Sequence, residues 1–313
     1  MSAYTVTSRS FVVSGLNVKI YCHPSQSVCE AFAPLPPVSV LFFLHGRGSS
    51  LAVVEPIIEK VVMIAHSDDK KRDLYVVGLV SVVPLLAKLS SPMGTQTTRK
   101  FHVIYMLSGP QRLILDCRLD MYGIQLGTQR DLSHLIDFLP SHLFPHGERT
   151  IEQWGVAGIS LGGHTAWLAL AHEPRITFGI VILGCADYLA LMSRRAAESE
   201  FELTPPTLPI LPPSLVFLVR HVDPIYTPYT VNDSRNPFLG KKILVLRGAM
   251  DRIVPWSASA RFVQGLEVGE RGLKTVMAQE GVGHECTVEM TKWMAEFLRY
   301  ECLSSKIAAM AKL

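Results

Sequence analysis

Short apolar stretches recur along the chain, and most of them end in a turn that contains glycine. One of them, Val38–Leu44, shows no polar alternation apart from Ser39, which is typical of a strand buried on both faces of a parallel sheet. Residues 180–183, Lys242–Gly248 and residues 275–278 are further predicted strands. Apolar residues at helical spacing occur at residues 55–65, 132–139 and 287–300. This order predicts an α/β fold with a mostly parallel central sheet flanked by helices.

Two regions near the start of the chain are less regular. Residues 4–21 alternate loosely and contain a turn at residues 14–17, which predicts an edge hairpin beside the sheet. Residues 74–112 combine an apolar run with a polar patch, and the next predicted sheet strand is residues 113–116. A genuine insertion and an error in the gene model both fit this pattern. We expect residues 1–313 to form a single domain with an atypical insertion at residues 74–112.

Composition narrows the class of protein. The chain has 313 residues, 48% of them hydrophobic and 18% charged, with a formal net charge of +3. These values indicate a globular chain with a large core, and no cluster of basic residues is dense enough to predict a nucleic-acid groove. The apolar run at residues 74–87 contains Pro84 and is too short for a transmembrane helix, so no membrane span is predicted.

Cysteine and histidine usage adds little chemistry. The six cysteines form no C-x-x-C pair, and the first ten residues lack the apolar segment of a secretory signal. Reduced thiols in an intracellular compartment are the simplest interpretation. Cys286 follows His284 by two residues, which fits either a position near a site or ordinary packing. No metal-ligand spacing is present, and we expect neither a metal nor a cofactor.

The strongest chemical motif is G-x-S-x-G at Gly158, Ser160 and Gly162. Apolar residues precede and follow it, which predicts a strand, a tight turn and a helix. Glycines two positions either side of the serine let the strand and the helix pass each other, and the turn holds the serine hydroxyl at the edge of the sheet. The Leu161 N–H then lies at a helix start, where it is free to donate to an oxyanion.

Two further residues follow predicted strands in the order that a catalytic triad would need. Asp251 comes after the strand at Lys242–Gly248, and His284 comes after the strand at residues 275–278. The chain order serine, aspartate, histidine is the order of a triad on an α/β-hydrolase sheet. Asp187 and Asp223 also follow apolar segments, and both are alternatives for the acid.

These motifs together resemble those of the α/β-hydrolases. The nucleophile segment reads S-L-G-G-H-T-A-W and continues to H-E-P-R, as in fungal and bacterial serine hydrolases. The turn G-A-M-D-R-I-V-P resembles the family's G-x-x-D-x-x-V-P, which favours Asp251 as the acid. The resemblance also implies that the residue after His45-Gly46, Arg47, donates its backbone N–H to the oxyanion. The Arg47 side chain would either reach an anionic group of the substrate or only tether a loop.

The resemblance implies a serine hydrolase that cleaves a carboxylic ester or thioester of a small molecule through an acyl-serine intermediate. Two alternatives use the same fold: an acyltransferase with the same triad, and a non-catalytic binding or accessory protein. In this family an insertion at residues 188–240 covers the pocket and sets substrate choice, so we expect a lid there. The lid begins with a charged amphipathic helix at residues 191–201, followed by a proline-rich stretch.

The last three residues suggest a location. Ala311, Lys312 and Leu313 match the small-basic-leucine pattern of peroxisomal signals, of which S-K-L is the type. We therefore expect a peroxisomal import receptor as a partner, with a cytoplasmic location as the alternative. Peroxisomal α/β-hydrolases of fungi occur in secondary metabolism, and the match fits that setting by resemblance only.

Overall fold

The structure is a computed structural model that describes residues 5–26, 35–79, 98–198 and 211–304. Within residues 98–119 only the backbone is described. Ala311, Lys312 and Leu313 lie outside the described residues, so the peroxisomal location stays a prediction. No helix of the described part has the length and apolar character that a membrane crossing requires.

The described strands form one sheet of eight strands in the order β1-β2-β4-β3-β5-β6-β7-β8. The first two strands form a hairpin, and β2 pairs antiparallel with β4. The remaining strand pairs are all parallel. The strand bounds are Thr7–Val13, Leu16–Cys22, Val38–Leu44, Asp73–Leu79, Ile151–Ile159, Ile176–Ile182, Lys242–Gly248 and Leu273–Gln279. The predicted edge hairpin and the mostly parallel sheet are confirmed.

Helices cover both faces of this sheet. Their bounds, α1 to α7, are Leu51–Ala65, Thr98–Leu143, Leu161–His172, Tyr188–Glu198, Pro213–Val222, Ala260–Gly265 and Val288–Phe297. Helices α2, α3 and α6 pack on one face, and α1 and α7 pack on the other. Strand β3 shows why the sheet needs both layers. Val40 and Phe42 point into the first core cluster, whereas Leu41 and Phe43 point into the second.

The predicted strand at residues 113–116 is wrong, because these residues lie inside α2. The sheet position is instead taken by β4, which follows α1 directly and pairs with β3. A short apolar run does not by itself distinguish a strand from a helix, and here the first such run after α1 supplies the strand. Residues 74–79 of the predicted insertion therefore belong to the central sheet, and its residues 80–97 lie outside the described chain.

The segment predicted to be a lid contains two helices. Helix α4 lies at the start of the segment, and α5 follows it after residues 199–210, which lie outside the description. The amphipathic helix predicted at residues 191–201 is confirmed as an element, although it begins earlier, at Tyr188. That this segment acts as a lid over the pocket stays a prediction.

A pair of stacked histidines makes stability depend on pH. The rings of His23 and His66 lie 3.6 Å apart between centroids, and Lys70 Nζ lies 3.1 Å from His66 Nδ1. Burial, followed by the charge of Lys70, lowers the pKa of His66 from 6.5 to about 4. The unfolded chain therefore binds more protons between these two values. The contribution of His66 to the free energy of unfolding is therefore fully present above about pH 6.5, and it is lost as the pH falls towards about 4.

We expect His66→Gln to reduce this acid sensitivity. The variant lacks the group whose pKa differs between the folded and unfolded states, so its free energy of unfolding should decline less between pH 6.5 and about pH 4. Urea denaturation across this pH range measures the effect, with His146→Gln at an exposed position as the control. An equally steep decline in His66→Gln and in the unchanged protein would show that the stacked pair is not responsible.

Candidate active site

The turn between β5 and α3 holds Ser160 in a strained backbone conformation. Its φ is 57° and its ψ is −111°, values that side-chain-bearing residues rarely adopt. The surrounding glycines allow this close passage. A Cβ on Gly158 would overlap the carbonyl of Gly162, and a Cβ on Gly162 would lie 2.6 Å from the Leu44 carbonyl oxygen. The Ser160 N–H donates to the Ile182 carbonyl at 2.8 Å, which fixes the turn to β6.

The structure brings Ser160, His284 and Asp251 together. Ser160 Oγ lies 2.8 Å from His284 Nε2, and His284 Nδ1 lies 2.7 Å from Asp251 Oδ2. Positions 124 residues apart in the chain therefore lie within hydrogen-bond distance. The arrangement satisfies the geometric requirement for a nucleophile, a general base and an orienting acid.

Two loops at the ends of β7 and β8 hold the acid and the base in place. The Met250 N–H donates to the Val282 carbonyl at 2.8 Å, so the loop before Asp251 is joined to the loop before His284. Asp251 Oδ1 accepts from the N–H groups of Ile253 and Val254, both at 2.9 Å. With Oδ1 held by two backbone donors, Oδ2 is directed at the imidazole. Asp251 is 8% exposed, so its contact with His284 is shielded from water.

Neither alternative acid reaches His284. Asp223 is fully buried and pairs with a different histidine, with Oδ1 2.7 Å from His164 Nε2. Asp187 accepts from the Ala190 N–H at 2.9 Å near the start of α4, and burial raises the pKa of its carboxyl. The positions predicted for the three catalytic residues are thus the ones that the fold brings together.

The positions predicted to bind an oxyanion also lie beside Ser160. Leu161 is the first residue of α3, so its N–H has no acceptor within the helix. Gly46 lies against the nucleophile, since a Cβ built on it would be 3.5 Å from Ser160 Cβ. Arg47 and Leu161 both line the cavity onto which Ser160 and His284 open. His45 Nδ1 lies 2.9 Å from the Gly46 carbonyl oxygen, a local backbone contact rather than a contact with the triad.

Comparison with solved structures decides the fold. TT1662 from Thermus thermophilus is 18% identical, with a TM-score of 0.58 over 94% of this chain and 96% of that one. The fold is that of the α/β-hydrolases. An acylaminoacyl peptidase in complex with Z-Gly-Gly-Phe-chloromethyl ketone is 15% identical, with a TM-score of 0.58, and 98% of this chain covers 43% of it. The chain therefore spans less than half the length of that peptidase.

A third solved structure is similar to this chain, and two sequence comparisons found no match. A putative dienelactone hydrolase from Klebsiella pneumoniae is 12% identical, with a TM-score of 0.50 over 93% of this chain and 97% of that one. No protein-family model matches the sequence, and no curated protein matches it. At these identities the likeness establishes the α/β-hydrolase fold, and the chemistry must be argued from the site itself.

The cavity of this α/β-hydrolase fold has a volume of about 570 Å³. This lies within the range of roughly 300–1,000 Å³ that is usual for small-molecule sites. Its walls are mainly apolar, with polar groups near the nucleophile. The lining residues are Arg47, Met121, Gln125, Ser160, Leu161, His164, Cys185, Leu191, Met192, Arg195, Ile253, Val254 and His284.

Several residues of this wall were not predicted. Met121 and Gln125 belong to α2, whose path across the sheet is not evident from the sequence. His164 lines the cavity and forms a buried pair with Asp223, in agreement with the supporting role that its position on α3 suggests. Cys286 packs against the core cluster of α1 and α7, and burial raises the pKa of its thiol to about 12, so packing is its observed role.

Proposed function

We propose that the protein is a serine hydrolase that cleaves a carboxylic ester of a small molecule through an acyl-Ser160 intermediate. One observation supports this most directly: Ser160 Oγ, His284 and Asp251 form a continuous chain of contacts at 2.8 and 2.7 Å. Ser160 and His284 open onto a cavity whose size suits a small-molecule substrate. A protein that used the fold only for binding would not need a strained serine backbone or two backbone donors on the acid.

The first step transfers the Ser160 proton. His284 Nε2 accepts the proton as Ser160 Oγ attacks the carbonyl carbon of the ester. Asp251 Oδ2 accepts the Nδ1–H of His284, which fixes the tautomer that leaves Nε2 free to act as a base. It also stabilises the imidazolium that forms. Collapse of the tetrahedral intermediate expels the alcohol, which takes the proton back from His284.

The oxyanion of the intermediate would lie between the backbone N–H groups of Arg47 and Leu161. The helix dipole of α3 adds to the attraction, because its positive end faces the same point. A donor of this type typically contributes about 3 kcal/mol to the transition state. Water then repeats the sequence on the acyl-enzyme, with His284 as the base, and releases the acid.

The solved structures support cleavage of acyl bonds without fixing the bond type. Two of the similar chains are named an acylaminoacyl peptidase and a putative dienelactone hydrolase. The finer part of the proposal is that oxygen esters are the substrates, with thioesters as a second possible class. A panel of 4-nitrophenyl esters and CoA thioesters of equal acyl length distinguishes them, and added alcohols or amines reveal any acyl transfer.

Covalent labelling tests the proposal. A fluorophosphonate probe should label the protein once, on the peptide that contains Ser160, because only an activated serine attacks it. Peptide mass spectrometry identifies the site, and Ser257→Ala, a change at an exposed serine outside the cavity, should label normally. A protein that is folded by circular dichroism and yet is not labelled would rule out the proposed chemistry.

A further inference from the structure

The described part of the cavity wall contains two cationic side chains. Two of the lining residues are arginines, Arg47 and Arg195, and none of the lining residues within the described chain is acidic. The two arginines come from separate parts of the fold. Arg47 lies in the loop after β3, and Arg195 lies in helix α4. Two guanidinium groups in the cavity wall offer N–H donors that an anionic group of a ligand can accept.

Arg195 is held against the loop that follows Asp251. Its Nη2 donates to the Ile253 carbonyl at 3.0 Å, and its Nη1 lies 4.0 Å from Met121 Sδ. The Ile253 N–H is one of the two donors to Asp251. The guanidinium is therefore fixed against the same loop that holds the catalytic acid.

Arg47 approaches from the nucleophile's side. It directly follows Gly46, whose Cβ position lies 3.5 Å from Ser160 Cβ. Within the described residues the Arg47 side chain forms neither an ion pair nor a hydrogen bond. The buried carboxylates of Asp251 and Asp223 have other partners, Asp251 in His284 and two N–H groups and Asp223 in His164.

We propose that the substrate carries an anionic group in addition to the scissile ester, and that Arg47 and Arg195 bind this group. Guanidinium groups bind carboxylate and phosphate through paired N–H donors, so either anion fits the chemistry. The apolar side chains of Leu191, Met192 and Val254 then contact the hydrocarbon between the anion and the ester. This inference rests on the proposed hydrolysis and narrows its substrate class.

The test compares two esters that differ only in charge. Mono-4-nitrophenyl adipate and 4-nitrophenyl hexanoate have six-carbon acyl chains, and only the first ends in a carboxylate. The measured quantity is the ratio of their kcat/KM values. Because both esters use the same triad, general damage to the enzyme cancels in this ratio. We expect Arg195→Gln to lower the ratio about tenfold or more, as loss of a charge-assisted hydrogen bond implies.

Two further variants complete the design. Arg47→Gln should lower the same ratio, and it provides a second test at an exposed position should Arg195→Gln fold poorly. Arg194→Gln is the matched control, since Arg194 bonds to Ser257 and does not line the cavity. It should leave both rate constants and their ratio unchanged. Inhibition of hexanoate hydrolysis by glutarate or by inorganic phosphate then shows which anion the site prefers.

The outcomes separate this inference from the proposed function. If the unchanged protein cleaves neither ester, the hydrolase proposal itself fails. If it cleaves hexanoate, but the ratio is the same in the unchanged protein, Arg195→Gln and Arg47→Gln, the anion site is overturned and the hydrolase proposal stands. A lowered ratio in both variants, with the control unaffected, supports the anion site.

Discussion

Ser160→Ala is expected to lower kcat/KM for a model ester by about 10⁴- to 10⁶-fold. The reason is that Ser160 Oγ is the atom that His284 Nε2 contacts at 2.8 Å, and no acyl-enzyme forms without it. The fold should survive, because alanine removes one oxygen at a position that is only partly buried. Steady-state hydrolysis of 4-nitrophenyl hexanoate measures the activity, and thermal unfolding measures the stability.

Two controls make this result specific. Ser257→Ala should keep its activity, since Ser257 lies outside the cavity lining. Asp251→Asn should lower kcat by about 10⁴-fold, because an amide that donates to His284 Nδ1 favours the wrong tautomer. A Ser160→Ala protein that still hydrolyses the ester at a substantial fraction of the original rate would place the nucleophile elsewhere.

Asp223→Ala should have the largest effect on stability. Both carboxylate oxygens are bound in the fully buried site, Oδ1 by His164 Nε2 and Oδ2 by the Tyr188 N–H, each at 2.7 Å. Removing the carboxylate leaves His164 buried without its partner and the first N–H of α4 without its acceptor. Each buried polar group left unsatisfied in this way typically costs about 1–3 kcal/mol of the free energy of unfolding.

Denaturant titration measures this loss. Asp233→Ala is the matched control, because Asp233 pairs with Arg235 at the exposed surface and its loss should leave the midpoint nearly unchanged. His164→Ala in the Asp223→Ala background should cost much less than His164→Ala alone, since the two side chains act as one unit. Free energies that simply add in the double variant would show that the pair is not coupled.

The His164–Asp223 pair also connects the nucleophile turn to helices α4 and α5. The His164 N–H donates to the Ser160 carbonyl at 3.1 Å, and Asp223 follows the last residue of α5. The same carboxylate accepts from Tyr188, the first residue of α4. One buried contact thus joins α3 to α4 and α5, the two described helices of the segment predicted to be a lid.

Much of the fold was evident from local patterns. The strands Val38–Leu44 and Lys242–Gly248 were predicted with their observed bounds, because a strand buried on both faces tolerates few polar residues. The triad positions were evident for a related reason. Parallel strands end at one edge of the sheet, so residues that directly follow them converge there.

Other features depended on contacts that sequence neighbours do not report. The apolar run that became β4 and the one at residues 113–116 look alike in isolation, and only the pairing of β4 with both β2 and β3 distinguishes them. The partner of Asp223 is 59 residues away, so nothing around either residue indicates the pair.

The sequence by itself determined the nucleophile turn, because the glycines around Ser160 answer a steric demand that is local to five residues. It also determined the central strand Val38–Leu44, whereas the apolar run at residues 275–278 became β8 at the edge of the sheet. The tertiary structure alone decided that Asp223 pairs with His164, and that Arg195 lines the same cavity as Arg47. Those outcomes depend on how separate loops and helices are placed in space, and the residues around each position do not indicate that placement.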